Sequence, residues 1–318
     1  MAQRKTPTRL REMLRRQTTA RYGDEYQPTT RATKSEAPGR SRPSQLRTPL
    51  HRRPLQLMSI PERKAAVLGA YNPAVFEIQE QRMLFTTEMP HPLSGLYPDQ
   101  LNKHAFFQGT VEVADRLGHL DKHPTLRCEV NGQPKTVPWP YQGDLLLFLD
   151  PGDGPYCVNW PVKASRSEFL GNKTPTTKKE IRKRLRKRAR HEIELAYYRD
   201  ADIRSEAIAG DEIDDVVSEN LLRSNCYAVR ELRLPPTQIE DVEGAFEISL
   251  ETGLPPAISI DRLCRKGRIT SEEGRTVFYQ AIWHRRLRVD LFTEILVDQA
   301  LYPETTDVLE FYADWFAR

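Results

Sequence analysis

A stretch near the middle of the chain constrains the fold more than any other. Two apolar runs, residues 145–149 and 156–162, flank the sequence DPGDG at residues 150–154. Apolar runs of this length around such a cluster of turn-forming residues predict two antiparallel strands joined by a tight turn. The stretch begins after an acid, Asp144, and ends at a base, Lys163, so we expect a β-hairpin with one charged residue at each open end.

The expected register brings these two charged residues close together. A turn centred between Gly152 and Asp153 places Asp144 opposite Pro161 on the neighbouring strand. Lys163 lies two residues beyond Pro161 and shares its face, so its backbone is roughly 7–8 Å from that of Asp144. A shift of one residue would move the two side chains to opposite faces. The prediction of a shared site therefore depends on this register.

An acid and a lysine in this arrangement suit metal-dependent cleavage of a phosphodiester. The carboxylate can hold a hard divalent cation, and the lysine can orient the attacking water. Such a site needs a second carboxylate, which we expect on a helix over residues 72–85 with one apolar stripe. Glu77 and Glu80 share a face of that helix, and Glu77 is the favoured ligand. A solvated acid and lysine beside an ordinary hairpin are the alternative interpretation.

These residues resemble a family, TnsA, the endonuclease subunit of heteromeric cut-and-paste transposases. In that family a helix glutamate precedes a YxPD-like strand start, and a strand end of the form hydrophobic-QVK follows. The matching positions here are Glu77, YQGD at residues 141–144 and WPVK at residues 160–163. Gly143 replaces the proline of the first motif. Pro161 replaces a glutamine that often helps to ligate metal in this class of nuclease.

The resemblance implies a restriction-endonuclease-like catalytic core that depends on Mg²⁺, for which Mn²⁺ can substitute. The catalytic residues would be Glu77, Asp144 and Lys163, with Glu77 and Asp144 as metal ligands. The chain would cut the non-transferred strand at the transposon ends, alongside a DDE transposase subunit and an AAA+ ATPase regulator. Two alternatives stay open: a stand-alone restriction or repair nuclease, and a non-catalytic DNA-binding or assembly subunit, which Pro161 favours.

Charge is distributed unevenly along the chain. Residues 1–60 contain 14 Lys or Arg and 4 Asp or Glu, whereas the remainder contains 34 basic and 40 acidic residues. The first sixty residues also have few aromatic side chains, so we expect a largely disordered basic arm. It could bind phosphates or act as a solubilising tail, and a mitochondrial-type presequence is a third interpretation.

The densest basic run begins at residue 178. It lacks glycine and proline, and Ile181, Leu185 and Ala189 follow one another at helical spacing, which predicts a helix docked along that stripe and continuing to Tyr198. Its outer face would contact duplex DNA. The candidate DNA-binding residues are Lys178, Lys179, Arg182, Lys183, Arg186, Lys187 and Arg190.

Residues 233–237 mark a boundary before a smaller C-terminal domain. Beyond it we expect helices at residues 258–265 and 271–284, followed by a strand at residues 287–291, which is the order of a winged helix. Arg285 and Arg286 could contact phosphates there, or the domain could dock the transposase.

The predicted fold class is therefore α/β: a basic arm (1–60), a catalytic core (61–232) and a winged-helix domain (233–318). Within the core we also expect strands at residues 104–113 and 201–208. Four separated cysteines without a CxxC motif predict reduced thiols and no structural zinc. No apolar segment is long enough to span a bilayer. We therefore expect a bacterial cytoplasmic protein with no membrane partner.

Overall fold

The structure is a computed structural model, and it describes residues 5–39, 41–97, 104–130, 132–170 and 176–318. The helices in these ranges are α1 (Pro7–Gln17), α2 (Ile60–Tyr71), α3 (Thr110–Arg116), α4 (Arg166–Leu170), α5 (Lys178–Arg199), α6 (Asp215–Ala228), α7 (Pro236–Thr252), α8 (Pro256–Arg265), α9 (Ser271–Trp283), α10 (Val308–Phe311) and α11 (Ala313–Phe316). The strands are β1 (Ser44–Thr48), β2 (His51–Leu57), β3 (Val75–Glu80), β4 (Met83–Leu84), β5 (Thr125–Val130), β6 (Gln133–Pro138), β7 (Tyr141–Gln142), β8 (Leu145–Leu149), β9 (Tyr156–Trp160), β10 (Val162–Lys163), β11 (Arg204–Ser205) and β12 (Ile208–Ala209).

A four-stranded mixed sheet lies at the centre, with the strand order β11-β9-β8-β3. β8 runs antiparallel to both β3 and β9, whereas β11 runs parallel to β9. Leu145 pairs with Trp160, which is the register that the sequence predicted for the hairpin. The α/β class is therefore confirmed.

Strand β8 is buried on both faces, and its side chains alternate between two hydrophobic cores. Leu145, Leu147 and Leu149 point into one core, and Leu146 and Phe148 point into the other. Helices α2, α6 and α9 contribute to the first core, and α3 and α5 to the second. An entirely apolar strand of five residues is what a sheet covered on both sides requires.

The N-terminal segment is ordered where the structure describes it, so the expectation of a disordered arm is wrong there. It forms α1 and the β1–β2 hairpin, and Met13 of α1 is completely buried. Arg16 is also buried and donates hydrogen bonds to both carboxylate oxygens of Glu36 at 2.8 Å. The prediction failed because it counted arginines as solvated charges, whereas ion pairs inside the segment neutralise them.

The C-terminal helices agree with the sequence, but the wing does not. Helices α8 and α9 form as expected, and α9 begins with a capping box between Thr270 and Glu273. The strand expected at residues 287–291 is absent from the described residues, where the only pairing is an isolated bridge between Val289 and Pro303. One core joins residues on both sides of the expected boundary at residue 233.

Two further expected strands differ from the structure. Residues 104–113 hold the start of α3 and an isolated bridge from Phe107 to Met89, because Gly109 has a left-handed φ of 86° that begins the helix. Residues 201–208 do not form one strand: they contain the short strand β11 and the first residue of β12.

The four cysteines, Cys128, Cys157, Cys226 and Cys264, are free, as the sequence predicted. Within the described ranges no helix has both the length and the apolar composition needed to cross a bilayer.

Candidate active site

The structure brings Asp144 and Lys163 into direct contact. Asp144 immediately precedes β8, and Lys163 ends β10. The Lys163 Nζ donates to Asp144 Oδ2 at 3.2 Å and to the backbone carbonyl of Val162 at 2.7 Å. The negative charge of Asp144 raises the pKa of Lys163, so the lysine is held as a cation. A carboxylate oxygen and a carbonyl oxygen therefore converge on one positively charged atom.

Pro161 explains how the backbone around this pair is arranged. It separates β9 from β10, and it has no N–H to continue the ladder opposite Asp144. The next N–H, that of Val162, donates to Asp144 Oδ2 at 2.8 Å instead of to a strand. The Pro161 carbonyl accepts from Ile208 at 2.9 Å, which carries the chain onto β12. The Val162 N–H, which follows the proline, thus orients the Asp144 carboxylate.

The expected helix over residues 72–85 is wrong, because residues 75–80 form β3 and the following residues form β4. The two strands are separated at Gln81, which has a left-handed φ of 49°. The apolar residues of this segment have the spacing of a helical stripe. Pairing with the wholly apolar β8 nevertheless outweighs the local preference for a helix.

Glu77 does not join Asp144 and Lys163. Its carboxylate accepts from the Gly23 N–H at 2.8 Å and from Gln79 at 3.3 Å, and it lies 3.2 Å from His51 Nε2. Burial raises its pKa to about 7. These partners anchor the N-terminal segment to the edge of the sheet, so Glu77 has a structural role.

Glu80, the alternative ligand, is occupied by an arginine. Its carboxylate is completely buried and accepts two hydrogen bonds from Arg53 Nη1, each of 2.9 Å, and one from the Gln56 N–H at 3.0 Å. Burial raises the pKa of Glu80, and Arg53 counteracts the effect. This ion pair joins β3 to β2, so the Glu80 carboxylate binds Arg53 and does not contribute to the site of Asp144 and Lys163.

The second carboxylate of the site is Glu62, in the first turn of α2. The side chain is buried and accepts hydrogen bonds from Ser59 Oγ at 2.9 Å and from the Met58 N–H at 2.8 Å. Burial, and then the negative charge of Asp144, raises the pKa of Glu62 to about 7. Sequence reasoning missed this residue. The signal was present as the capping box Ser59-x-x-Glu62, but that motif alone indicates a helix start and not a ligand.

Gln81 connects Glu62 to Asp144. Its Nε2 donates to Glu62 Oε2 at 3.0 Å, and its backbone N–H donates to the Asp144 carbonyl at 3.0 Å. Its own carbonyl accepts from Thr29. A left-handed backbone is unfavourable for glutamine, and it persists here because these three contacts fix both sides of the residue.

Helix α5 closes the site on the other side. Glu194 is buried, and burial, together with the nearby Asp144, raises its pKa to about 7 despite the opposing effect of Arg190. Arg190 donates to the Gln142 carbonyl at 2.8 Å, beside the start of β8. Helix α5 therefore places Arg190 beside the end of the two central strands, where Lys163 contacts Asp144.

The donor atoms at this point suit a hard cation. In the described ranges no group of three or more His, Cys, Asp or Glu side chains is arranged as a metal site. The available donors are instead two carboxylates, Asp144 and Glu62, and the Val162 carbonyl on which Lys163 Nζ converges. Mg²⁺ commonly takes one or two carboxylates and completes its shell with water, so this oxygen set fits it.

Gly143, the other departure from the TnsA motif, lies where space is limited. A Cβ built on it would meet the Tyr198 hydroxyl at 3.2 Å and Leu84 at 3.4 Å. Glycine here therefore allows α5 and β4 to pack closely against the residue before Asp144.

The candidate DNA-binding residues fall into two groups. The members on α5 are exposed, and residues 178–188 have no buried side chain. Arg285 and Arg286 are instead paired within the chain, with Asp307 and Glu243 respectively. These two arginines therefore hold the C-terminal segment together through ion pairs.

No protein-family model matches the chain, and no curated protein matches it either.

Proposed function

We propose that this chain is a Mg²⁺-dependent DNA endonuclease subunit of a transposase, similar to TnsA, built on a restriction-endonuclease-like core. The observation that carries the proposal is the ion pair of Asp144 and Lys163 at the end of the two central strands, with Glu62 linked to Asp144 through Gln81. The three charged residues come from three separate elements, and the basic helix α5 passes beside them.

The roles of the three side chains follow from their charges and contacts. Asp144 and Glu62 would hold Mg²⁺, with water completing its shell. When bound, Mg²⁺ or Mn²⁺ polarises the scissile phosphate and stabilises the charge that develops there. Lys163, held as a cation by Asp144, orients the attacking water and neutralises charge on the phosphate. Gln81 positions the Glu62 carboxylate through its amide.

In the transposition reaction this subunit would cut the non-transferred strand at each transposon end. A DDE transposase subunit would cut and join the other strand, and an AAA+ ATPase would regulate both. The exposed part of α5 supplies positive charge for the duplex beside the cut. Helices α8 and α9, whose arginine-rich end is paired internally, serve to dock a protein partner.

Nicking by the purified chain tests the proposal. With its partner transposase, transposon-end DNA and Mg²⁺, the chain should nick one strand, and Asp144→Asn and Lys163→Ala should each reduce the rate by at least about a hundredfold. Arg233→Gln, which changes a side chain that is 84% exposed, is the control and should nick normally. Full nicking by either site variant would show that the site is misassigned.

A non-catalytic DNA-binding or assembly subunit is the second candidate. Pro161 favours it, because proline has no side-chain oxygen where the TnsA motif has glutamine. Titration with Mg²⁺ and Mn²⁺ separates the two. The nuclease should bind either ion with an affinity that Asp144→Asn weakens by at least about tenfold, whereas the assembly subunit should show no binding that depends on Asp144.

A further inference from the structure

The first half of α5 is an isolated helix. Residues 178–188 are exposed on every side, and even the apolar Ile181 and Leu185 are 44% and 48% exposed. Burial on α5 begins at Ala189. The expected docking of the stripe formed by Ile181, Leu185 and Ala189 is therefore wrong for its first two members. This half of the helix projects away from the protein.

Positive charge surrounds the projecting half. Residues 178–188 contain eight Lys or Arg and one acid, Glu180, which is used in the capping box with Thr177. At 3.6 residues per turn, the eight basic side chains cover about 280° of the helix circumference. A helix that lies along one DNA strand presents one face to phosphates. The distribution of basic side chains around this helix instead matches an environment that has phosphates on opposite sides of the helix.

The projecting half has a capping box at Thr177 and an ion pair of Arg188 with Glu192, but it lacks the packing that normally stabilises a helix. Packing supplies most helix stability in proteins, and residues 178–188 have none. Basic residues four positions apart, such as Arg182 and Arg186 or Arg184 and Arg188, repel each other. Anions on both sides would relieve this repulsion. The charge pattern therefore points to a polyanionic partner that encloses the helix.

The position of the helix relative to the site gives the location of that partner. Arg190 contacts the Gln142 carbonyl beside Asp144, and Lys178 lies twelve residues further along the helix axis. At 1.5 Å per residue the projecting half extends about 18 Å from the site. That length equals about five base pairs of B-DNA, at roughly 3.4 Å each. The major groove is about 12 Å wide and admits a helix.

We propose that residues 178–188 enter the major groove of duplex DNA within about five base pairs of the strand cut at Asp144 and Lys163. The position relative to the cut rests on the proposed endonuclease function. The groove contact itself rests on the exposure and the charge distribution of the helix. Both phosphate walls of the groove then neutralise the helix, and Ile181 and Leu185 face the base edges between them.

Two matched double variants distinguish groove entry from contact with a single strand. Arg182→Gln with Arg186→Gln, and Arg184→Gln with Lys187→Gln, each remove two exposed charges three or four residues apart, on faces about 150° from each other. Binding of the full chain to duplex DNA is measured in EDTA over a range of salt concentrations. Groove entry predicts that both variants weaken binding and lower the slope of log K against log salt by about 2 each. Loss in only one variant, or in neither, would overturn the proposal.

Modified duplexes probe the groove directly. Replacing every cytosine by glucosylated 5-hydroxymethylcytosine fills the major groove and leaves the phosphates unchanged, and this should weaken binding of the full chain at least about tenfold. An RNA duplex of the same sequence, whose major groove is too narrow and deep for side chains to read, should also bind at least about tenfold more weakly. Equal affinity for all three duplexes would overturn groove entry.

Protection of guanine N7 from methylation gives the position, because that atom lies in the major groove. We expect protection within about five base pairs of the nick, and its loss in both double variants. Groove protection without any nicking would uphold groove entry and overturn the nuclease. Nicking without groove protection would uphold the nuclease and overturn groove entry.

Discussion

Two buried glutamates have similar acidity but different surroundings. Burial raises the pKa of both Glu62 and Glu77 to about 7. The second cause differs: Asp144 raises the pKa of Glu62 further, whereas the Gly23 N–H lowers that of Glu77. Only Glu62 therefore shares its environment with the other carboxylate of the site, and the two glutamates form a matched pair for mutation.

The first prediction concerns this pair. Glu62→Gln should reduce nicking at least about a hundredfold, because the amide cannot supply the negative charge that a divalent cation requires. Glu77→Gln should retain nicking within a few-fold, because its side chain holds Gly23 and His51 and not the site. The rates are compared on supercoiled plasmid with the partner transposase present. An equal loss of nicking in both variants would show that Glu77 belongs to the site.

The second prediction is that titration of Glu77 makes the stability of the folded chain depend on pH. Its folded-state pKa is raised from 4.5 to about 7, so between these pH values the folded state binds more protons than the unfolded state. The free energy of unfolding should therefore fall as pH rises through this window. Relative to the wild type, Glu77→Gln should gain on the order of 2 kcal/mol between pH 4.5 and pH 7.5.

Urea denaturation at intervals of half a pH unit measures this difference. Glu62 and Glu194 titrate in the same direction, so the comparison of variant and wild type isolates the contribution of Glu77. A stability difference that stays constant across the window would show that Glu77 is already ionised at pH 5.

Among the helices and strands, the sequence predicted those that short-range signals specify, such as turns and helix caps. The DPGDG turn determined the β8–β9 register, and therefore the meeting of Asp144 with Lys163. The capped helix α9 was also predictable, because Thr270 accepts a hydrogen bond from the first turn of its own helix. In each case the residues that decide the structure are close in sequence.

The sequence did not reveal the elements that distant partners decide. β3 is a strand because its residues pair with β8, about seventy positions later. The N-terminal segment is ordered because Arg16 finds Glu36, and α1 then packs through Met13. The role of Glu62 likewise depends on Asp144 coming near, which its capping motif does not show. Local propensity carries no information on such partners.

The third prediction tests how α1 is held. Arg16→Ala removes a guanidinium whose side chain is 1% exposed and leaves Glu36, which is 16% exposed, without that partner. We expect a loss of about 3 kcal/mol in the free energy of unfolding, and faster proteolysis of the N-terminal segment. Arg15→Ala is the matched control. Arg15 is the exposed neighbour on the same helix, so its loss should change stability by less than about 0.5 kcal/mol. Equal stability of the two variants would show that α1 is not held by this ion pair.

At the scale of the molecule, the C-terminal segment is part of the core of the central sheet. One hydrophobic core contains Val158 and Trp160 of β9 together with Phe278 of α9 and Phe316 near the C-terminus. The Trp160 indole N–H donates to the Trp315 carbonyl at 2.9 Å. The strand that leads to Lys163 is therefore supported by residues about 155 positions later in the chain.

The last prediction follows from this support. Deleting residues 314–318 removes the buried Phe316 ring and the carbonyls that accept from Trp160 and from the Tyr156 hydroxyl at 2.8 Å. We expect a loss of roughly 3–5 kcal/mol in the free energy of unfolding, measured by urea denaturation. Deleting Arg318 alone is the control, because its side chain is exposed and makes one long hydrogen bond. Nicking should fall together with stability, because β9 and β10 carry the chain to Lys163. A truncated chain as stable as the control would mean that the core closes without this segment.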